Sequence, residues 1–376
     1  MLLSEDHLAV QDAVRSYVQA EIAPHAAAWD KTHTFPAAQL KGLAALGCYG
    51  VAVPPEWDGA GLDYLALALI LEEIAAADGA TSTVVSVNNC PVCSILMAYA
   101  NTDQKERFLK PLARGDMLGA FCLTEPHVGS EAGGLKTTAV KDGGDYVLNG
   151  VKQFITSGKN GDVAIVMAVT DKAAGKKGIS AFIVPTKTAG YTVARIEDKL
   201  GQHASDTAQI NFENCRVPAA NLLADEGMGL KIALSGLEGG RIGIASQAVG
   251  MARAAFEAAL RYSKERTSFG QPIFQHQAVQ FKLADMATQI EVARQMIHHA
   301  ACLKDAGRSC LKEAAMAKLF ASEMAERVCS DAIQVFGGYG YVSDFPVERI
   351  YRDVRVCQIY EGTSEVQKIL IGRALA

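Results

Sequence analysis

Glu361 is the residue whose surroundings most directly suggest chemistry. In RVCQIYEGTSEVQKIL (355–370) it is followed at once by Gly362, Thr363 and Ser364. Hydroxyl residues and a carboxylate before an apolar run can start a helix, with the negative charge suited to its N-terminal end. The same residues can serve a reaction. A glycine beside a carboxylate lets the backbone approach a ligand while the side chain acts as a general base. An unperturbed glutamate titrates near about 4.3, so a glutamate base working near neutral pH would need burial to raise that value.

Other stretches could hold a large planar ligand. FCLTEPHVGSEAGGLKTTA (121–139) joins a strand to a loop containing Thr124, Ser130 and three glycines, a composition that brings backbone N–H groups close to a bound group. In GVKQFITSGKNGD (150–162), strand alternation puts Phe154 and Thr156 on the same face. Phe154 can cover a flat heteroaromatic ring and Thr156 bond its edge, although an ordinary half-buried strand gives the same pattern. EGGRIGIASQAVG (238–250) stacks Glu238 and Arg241 at i and i+3, either as a surface ion pair or as a clamp for polar acceptors. RTSFGQPIFQHQAVQ (266–280) offers Arg266, Phe269 and Gln277, and QVFGG (334–338) offers Gln334 and two glycines; both are loops by default.

Several signatures are missing or weak. HExxH, GxSxG and GxxxxGK[ST] are absent, which sets aside zinc proteolysis, serine hydrolysis and P-loop phosphoryl transfer. GYGYVS (338–343) departs from GxGxxG and follows a helix, so it reads as a tight interhelical turn. Cys90 and Cys93 form one CPVC without a second pair and read as packed thiols. His298 and His299 are adjacent, point to different parts of a helix surface and make a poor metal pair. No metal is expected.

Three blocks must position these groups. From Ser4 to about Gly115 apolar residues recur at helical spacing, with starts marked at Ser4, Pro36 and Thr102. Between Met117 and Val217 short β-branched runs alternate with Gly, Asp and Lys clusters. Long helical periodicities return at about 229–264, 275–305 and 311–336, with a last helix after Tyr360. The expected domains are 1–116 (all α), 117–226 (β) and 227–376 (helical bundle), in an α+β chain. The order α, β, α excludes a Rossmann fold, which needs alternating βαβ units.

Totals agree with a folded globular protein. The 376 residues are 49% hydrophobic and 20% charged, in the range of soluble globular proteins. A net charge of -5 gives no general attraction to nucleic acid or anionic membranes. The N-terminus, MLLSEDHLAV, carries acidic residues where a secretory or transit peptide would need basic ones, and no apolar run reaches membrane-spanning length. Nine cysteines, an odd number dispersed along a large chain, suit a reducing compartment. A bacterial cytoplasm is expected, or a mitochondrial matrix with the transit peptide removed.

Together these stretches resemble the acyl-CoA dehydrogenase family of flavoproteins. The matches are LTEPHVGS, FITSG, GGRIGIASQ, ERTSFGQPI, QVFGGYGYV and YRDVRVCQIYEGTSEVQ, in the family's order and across essentially the whole chain. The resemblance implies an N-terminal helical domain, a central β barrel-like domain and a C-terminal four-helix bundle, assembled as a homotetramer with one FAD per subunit. It places Phe121, Leu123, Thr124, Gly129, Ser130, Phe154, Ile155 and Thr156 along the flavin, and continues those contacts to Thr363 and Glu365. Arg266, Phe269, Gln277, Gln334, Val335, Gly337 and Gly338 match positions that receive the adenine and pyrophosphate, largely from a neighbouring subunit. The family usually has tryptophan where Phe154 stands; phenylalanine keeps the apolar cover and loses an indole donor.

Glu361 matches the family's base, taking the α-proton of an acyl-CoA while the β-hydride passes to flavin N5 to give trans-2-enoyl-CoA. Some members carry the base at the position of Gly240, which has no carboxylate here. The resemblance assigns enolate stabilisation to the Glu361 N–H and a ribityl hydroxyl. It assigns substrate contacts to Ser130, Glu238, Arg241 and Gly362, and reoxidation to an electron-transfer flavoprotein. SVNNC (86–90), EDKLG and GGRIGIASQAVG are most similar to short-chain members and imply a butyryl-CoA-like substrate; GQHASDTAQ (201–209) departs from that pattern, leaving medium or branched chains open. Two rivals are an oxygen-using oxidase, whose extra C-terminal domain this length does not provide, and a nucleic-acid-binding relative with vestigial activity, whose basic domain the charge balance does not show.

Overall fold

A computed structural model describes residues 3–376. Its first part is helical: α1 (Glu5–Glu21), α2 (Ala26–Thr32), α3 (Ala37–Ala45), α4 (Tyr64–Ala77), α5 (Gly79–Val87), α6 (Ser94–Tyr99), α7 (Thr102–Gln104) and α8 (Lys110–Arg114). Ser4 caps α1 by accepting the His7 N–H, and Asp63 and Asp78 cap α4 and α5 in the same way. α4 is buried on nearly every side. It lies between α1 and the long bundle helix α9 (Gly229–Glu265), which explains why its sequence is apolar all round instead of striped.

The helix starts at Thr102 as expected, and Asn101 supplies its cap. Asn101 Oδ1 accepts the Gln104 N–H at 2.9 Å while Gln104 Oε1 accepts the Asn101 N–H at 3.1 Å, a reciprocal box. Asn101→Ala is therefore expected to destabilise the fold by about 1 kcal/mol and Thr102→Ala by under about 0.5 kcal/mol, compared as thermal midpoints.

Residues 88–93 connect α5 to α6 through a wide turn with extended backbone at Cys90. Both asparagines of SVNNC hold main chain. Asn88 donates to the carbonyls of Tyr49 (3.0 Å) and Leu112 (3.2 Å) and accepts the Gly119 N–H (2.9 Å). Asn89 donates to Cys48 and Val85 and accepts from Val51. Eight of the nine cysteines, Cys90 and Cys93 among them, are buried thiols.

The middle of the chain forms one mixed sheet from β1 (Gly119–Cys122), β2 (Thr138–Asp142), β3 (Asp145–Thr156), β4 (Val163–Val169), β5 (Ile179–Pro185), β6 (Tyr191–Ile196), β7 (Thr207–Pro218) and β8 (Leu222–Leu223). Its order is β6-β7-β3-β2-β4-β5-β8, with β1 parallel to β4. β4 is an unbroken apolar run because both its faces are covered. Ala164, Val166 and Ala168 fill the sheet's own interior with Phe182 and Phe212, whereas Val163, Ile165 and Met167 pack on Ile95, Leu109 and Ile232 from the helices.

After α9 comes a two-stranded hairpin, β9 (Thr267–Ser268) and β10 (Gln271–Pro272), then α10 (Gln277–Asp305), α11 (Leu311–Phe336), α12 (Val347–Val354) and α13 (Ser364–Leu375). α9, α10 and α11 pack along their lengths and α13 lies on α11. α12 was not marked by periodicity, being short and half charged. Its charges are paired: Arg349 faces Asp78 (3.4 Å) and Asp353 (3.3 Å), and Arg352 faces Asp30 (2.7 Å) and Glu348 (2.8 Å). The helical parts are further tied by Glu72 and Glu73 of α4, which receive Arg15, Arg253 and Arg294.

Candidate active site

Glu361 does not cap the helix that follows it. Thr363 does, its hydroxyl accepting the Val366 N–H, which leaves the Glu361 side chain for another role. Glu361 has φ 50° and Gly362 φ 93°, so the chain reverses sharply between the 3₁₀ turn at 355–358 and α13. A glutamate at positive φ is uncommon and is held there by its surroundings. Gln367 Nε2 donates to the Glu361 carbonyl at 3.3 Å and to the Gly362 carbonyl at 2.8 Å.

The turn delivers the carboxylate to α9. A Cβ at Gly240 would stand 1.9 Å from Glu361 Oε2, so the oxygen occupies the space that the missing side chain leaves. Oε2 is out of contact with solvent and has no hydrogen-bond partner among the described residues. Burial pushes the Glu361 carboxyl up to about 7, against the opposing pull of the Arg241 and Lys318 charges. Arg241 is buried, with Nε and Nη1 unpartnered, and burial holds its guanidinium below the usual arginine range.

Glu238 and Arg241 do not form the surface ion pair that their spacing allows. Glu238 turns to Lys304 Nζ and Cys310 Sγ, each at 3.4 Å, while Arg241 has no ion pair among the described residues. Beside them, Gly239 sits against Cys90 Sγ and Tyr64, and Gly236 against Ile95 and Pro91.

A second group lies on the sheet. Strict alternation, the basis for placing Phe154 and Thr156 on one face, is interrupted: Phe154 has φ 59°, the β3–β7 register shifts between Lys152 and Ile155, and Lys152 and Gln153 are both buried. The outcome still leaves Phe154 62% exposed and Thr156 half-buried, with Ile155 in the core. The 121–130 stretch runs alongside, because Gln153 N–H donates to the Thr124 carbonyl at 2.9 Å. Glu125, not singled out from sequence, anchors this loop. Its carboxylate accepts from Lys152 Nζ (2.8 Å) and from the N–H groups of Lys136 (2.7 Å) and Thr137 (3.0 Å). A lysine in the middle of an apolar strand was the available signal. Gly129 and Ser130 are exposed beyond it, and a Cβ at Gly129 would meet nothing within 4 Å.

The third group is remote. Arg266 lies 25 positions beyond Arg241 by numbering, about 37 Å along the α9 axis. Phe269, 94% exposed at φ 51°, stands on the hairpin turn. Arg266 lies over the Tyr339 ring at 5.9 Å, and Gln277, Gln334, Gly337 and Gly338 are exposed at the same end of the bundle, with Val335 buried beneath. One chain does not bring these residues to Glu361.

Gln202 and His203 join the blocks. Tyr360 Oη donates to Gln247 Oε1 (2.9 Å), Gln247 Nε2 to Thr83 Oγ1 (3.3 Å), and Thr83 Oγ1 to Gln202 Oε1 (2.7 Å). Gln202 N–H in turn donates to the Asp353 carboxylate. The residue before Glu361 is thereby tied to both other blocks. His203 faces Asp30 Oδ1 (2.8 Å) and the Lys199 carbonyl (2.6 Å) and stacks on His33.

Three family models match in succession: the acyl-CoA dehydrogenase N-terminal domain over 4–116, the middle domain over 120–215 and the C-terminal domain over 227–376. The chain belongs to the acyl-CoA dehydrogenase family. It is 47% identical over 369 residues to the mitochondrial short-chain specific acyl-CoA dehydrogenase of Mus musculus, covering 98% of this chain and 90% of that protein. Butyryl-CoA dehydrogenase from Megasphaera elsdenii superposes with a TM-score of 0.97 at 41% identity, over 100% of this chain and 99% of that one. A chain from the structure of the electron transferring flavoprotein of Acidaminococcus fermentans superposes with a TM-score of 0.98 at 45% identity, over 100% and 99%. As an acyl-CoA dehydrogenase, the protein is an FAD-dependent oxidoreductase acting on CH–CH bonds. The residues present suit that cofactor: an exposed Phe154 on a bulged strand, an open backbone at Gly129, Gly337 and Gly338, and a buried, unpartnered Ser157 hydroxyl next to Thr156. Among the described residues no helix is long and apolar enough to cross a membrane.

Proposed function

We propose that the protein dehydrogenates short-chain acyl-CoA thioesters to trans-2-enoyl-CoA, with Glu361 as the base. The observation that carries this reading is the half-buried Glu361, held at positive φ, with one carboxylate oxygen shut off from solvent, unpartnered among the described residues and received by a glycine that leaves it room. FAD, when bound, supplies the acceptor for the hydride leaving the β-carbon. Glu361 takes the α-proton, and its backbone N–H is proposed to donate to the thioester oxygen as enolate charge grows; such a donor typically contributes about 3 kcal/mol. Gly362 lets the main chain approach that oxygen, and Ser130 and Arg241 complete the substrate contacts. Glu238, turned to Lys304, acts from the pocket wall.

Phe154, Ile155 and Thr156, with Phe121, Leu123, Thr124, Gly129 and Ser130, would hold the flavin, continued by Thr363 and Glu365. Arg266, Phe269, Gln277, Gln334, Val335, Gly337 and Gly338 would hold the adenine end for a second copy of the chain. The separation along α9 supports that division between copies, and the family resemblance implies a homotetramer. Domain limits at 116/117 and 226/227 follow the change of architecture. A short chain is favoured by the similarity to enzymes named for short substrates and by the close packing of Gly236 and Gly239 on Ile95, Pro91, Cys90 and Tyr64. Electron-transfer flavoprotein is the proposed acceptor. The compartment is a bacterial cytoplasm or a mitochondrial matrix, in keeping with the reduced thiols.

Anaerobic titration with acyl-CoAs of increasing length, followed by flavin absorbance, tests the reading. Bleaching fastest with butyryl-CoA supports it, and no bleaching with any acyl-CoA removes it. The pH dependence has a definite sign. Only ionised Glu361 accepts a proton, and burial raises its carboxyl to about 7, so kcat/KM is expected to climb through that region and level off above it. A limb near about 4 to 5, the ordinary range, would mean that burial does not raise the carboxylate in the free enzyme.

A further inference from the structure

The mechanism above leaves a buried cation beside the base unused. Lys318 of α11 is 0% exposed, and its Nζ donates to the Gly362 carbonyl at 2.7 Å. It makes no ion pair within 4 Å among the described residues. A buried ammonium without a touching carboxylate is costly, so a lysine at this position calls for an explanation beyond packing. The explanation lies in what surrounds it. Its carbonyl partner belongs to the turn that carries Glu361, and the same carbonyl accepts from Gln367. Two donors from two helices thus hold a backbone that glutamate seldom adopts.

We propose that Lys318 is a positioning residue for the dehydrogenation: its ammonium fixes the Glu361–Gly362 turn and places a positive charge beside the carboxylate. This rests on Glu361 being the base. The charges facing Lys318 are Glu361 itself, Arg241 from α9, Cys357 from the preceding 3₁₀ turn and Glu365 from α13; those facing Glu361 are Arg241 and Lys318, with the Cys90 thiol nearby. Burial lowers the Lys318 ammonium to about 8, which leaves it mostly charged at neutral pH. Arg241 and Lys318 both favour the ionised base, in opposition to desolvation. With the lysine removed, only Arg241 opposes it.

The test uses holoenzyme with Lys318→Met, Lys318→Gln and Lys318→Arg, reduced anaerobically by butyryl-CoA across pH, with FAD content and assembly size recorded for each. In the two neutral variants the limb that follows Glu361 is expected to move up by about one unit, with the rate at pH 7 down about fivefold, while FAD content is unchanged. Lys318→Arg keeps the charge and should keep the limb in place. A second readout needs no turnover: the infrared band of protonated Glu361, identified by its loss in Glu361→Gln, should titrate higher in Lys318→Met. An unmoved limb and band, or a rate loss that tracks FAD loss, would overturn the proposal. So would an equal shift in Lys318→Arg. If Glu361→Gln proves active, the base assignment itself fails, which separates the two outcomes.

Discussion

Glu361→Gln is expected to retain FAD and bind acyl-CoA while flavin reduction slows by about 10³- to 10⁴-fold. The amide is nearly isosteric with the carboxylate, and the space at Gly240 accepts either. Because Oε2 makes no hydrogen bond, the substitution breaks no structural contact. What disappears is the lone pair that takes the α-proton. Stopped-flow reduction with butyryl-CoA under anaerobic conditions measures this directly, with binding checked separately by the flavin spectral perturbation. A variant that reduces at near the parental rate would show that another group takes the proton. Arg241 and Lys318 are cations and Cys90 is a thiol that burial pushes up to about 11, so none of these three neighbours is a ready second base, and Glu238 is engaged with Lys304.

The large-scale architecture was legible because each block has its own periodicity. The three long bundle helices follow the 229–264, 275–305 and 311–336 segments to within two residues at each end. β4 was legible as an apolar run, though not why it is apolar on both faces. Harder to read was whatever depends on a partner distant in sequence. α12 is only eight residues long, too short for its apolar stripe of Val347, Ile350 and Val354 to stand out, and the pairing of its Arg349 and Arg352 with Asp78 and Asp30 of the N-terminal block is invisible in a one-dimensional pattern. Phe154 stood out as an aromatic, but strand alternation does not foresee a bulge or a positive φ. Glu238 and Arg241 have the spacing of a pair, yet Lys304, 66 positions after Glu238, takes the carboxylate. Nine non-glycine residues have positive φ among those described, and Phe154, Phe269 and Glu361 are three of them. Backbone strain thus marks residues that motif reading had already selected on other grounds.

Gly240→Ala tests the geometry of the base apart from its chemistry. The added methyl would fall 1.9 Å from Glu361 Oε2 and 2.9 Å from the carboxyl carbon. The main-chain turn is clamped by Gln367 and Lys318, so the flexible end of the glutamate must move instead of the helix. Alanine within α9 also suits the helix better than glycine, by up to about 1 kcal/mol, which offsets part of any crowding. The thermal midpoint is therefore expected to change little. Catalysis is another matter: displacing a catalytic group by about 1 Å costs on the order of 10²-fold. Flavin reduction should fall by roughly that factor with FAD content preserved. The Glu361 pH limb should shift too, because the displaced carboxylate no longer keeps its distances from Arg241 and Lys318. If Gly240→Ala proves as fast as the parent, Glu361 must reach its substrate by a path that does not pass α9, and the site described for it would be wrong.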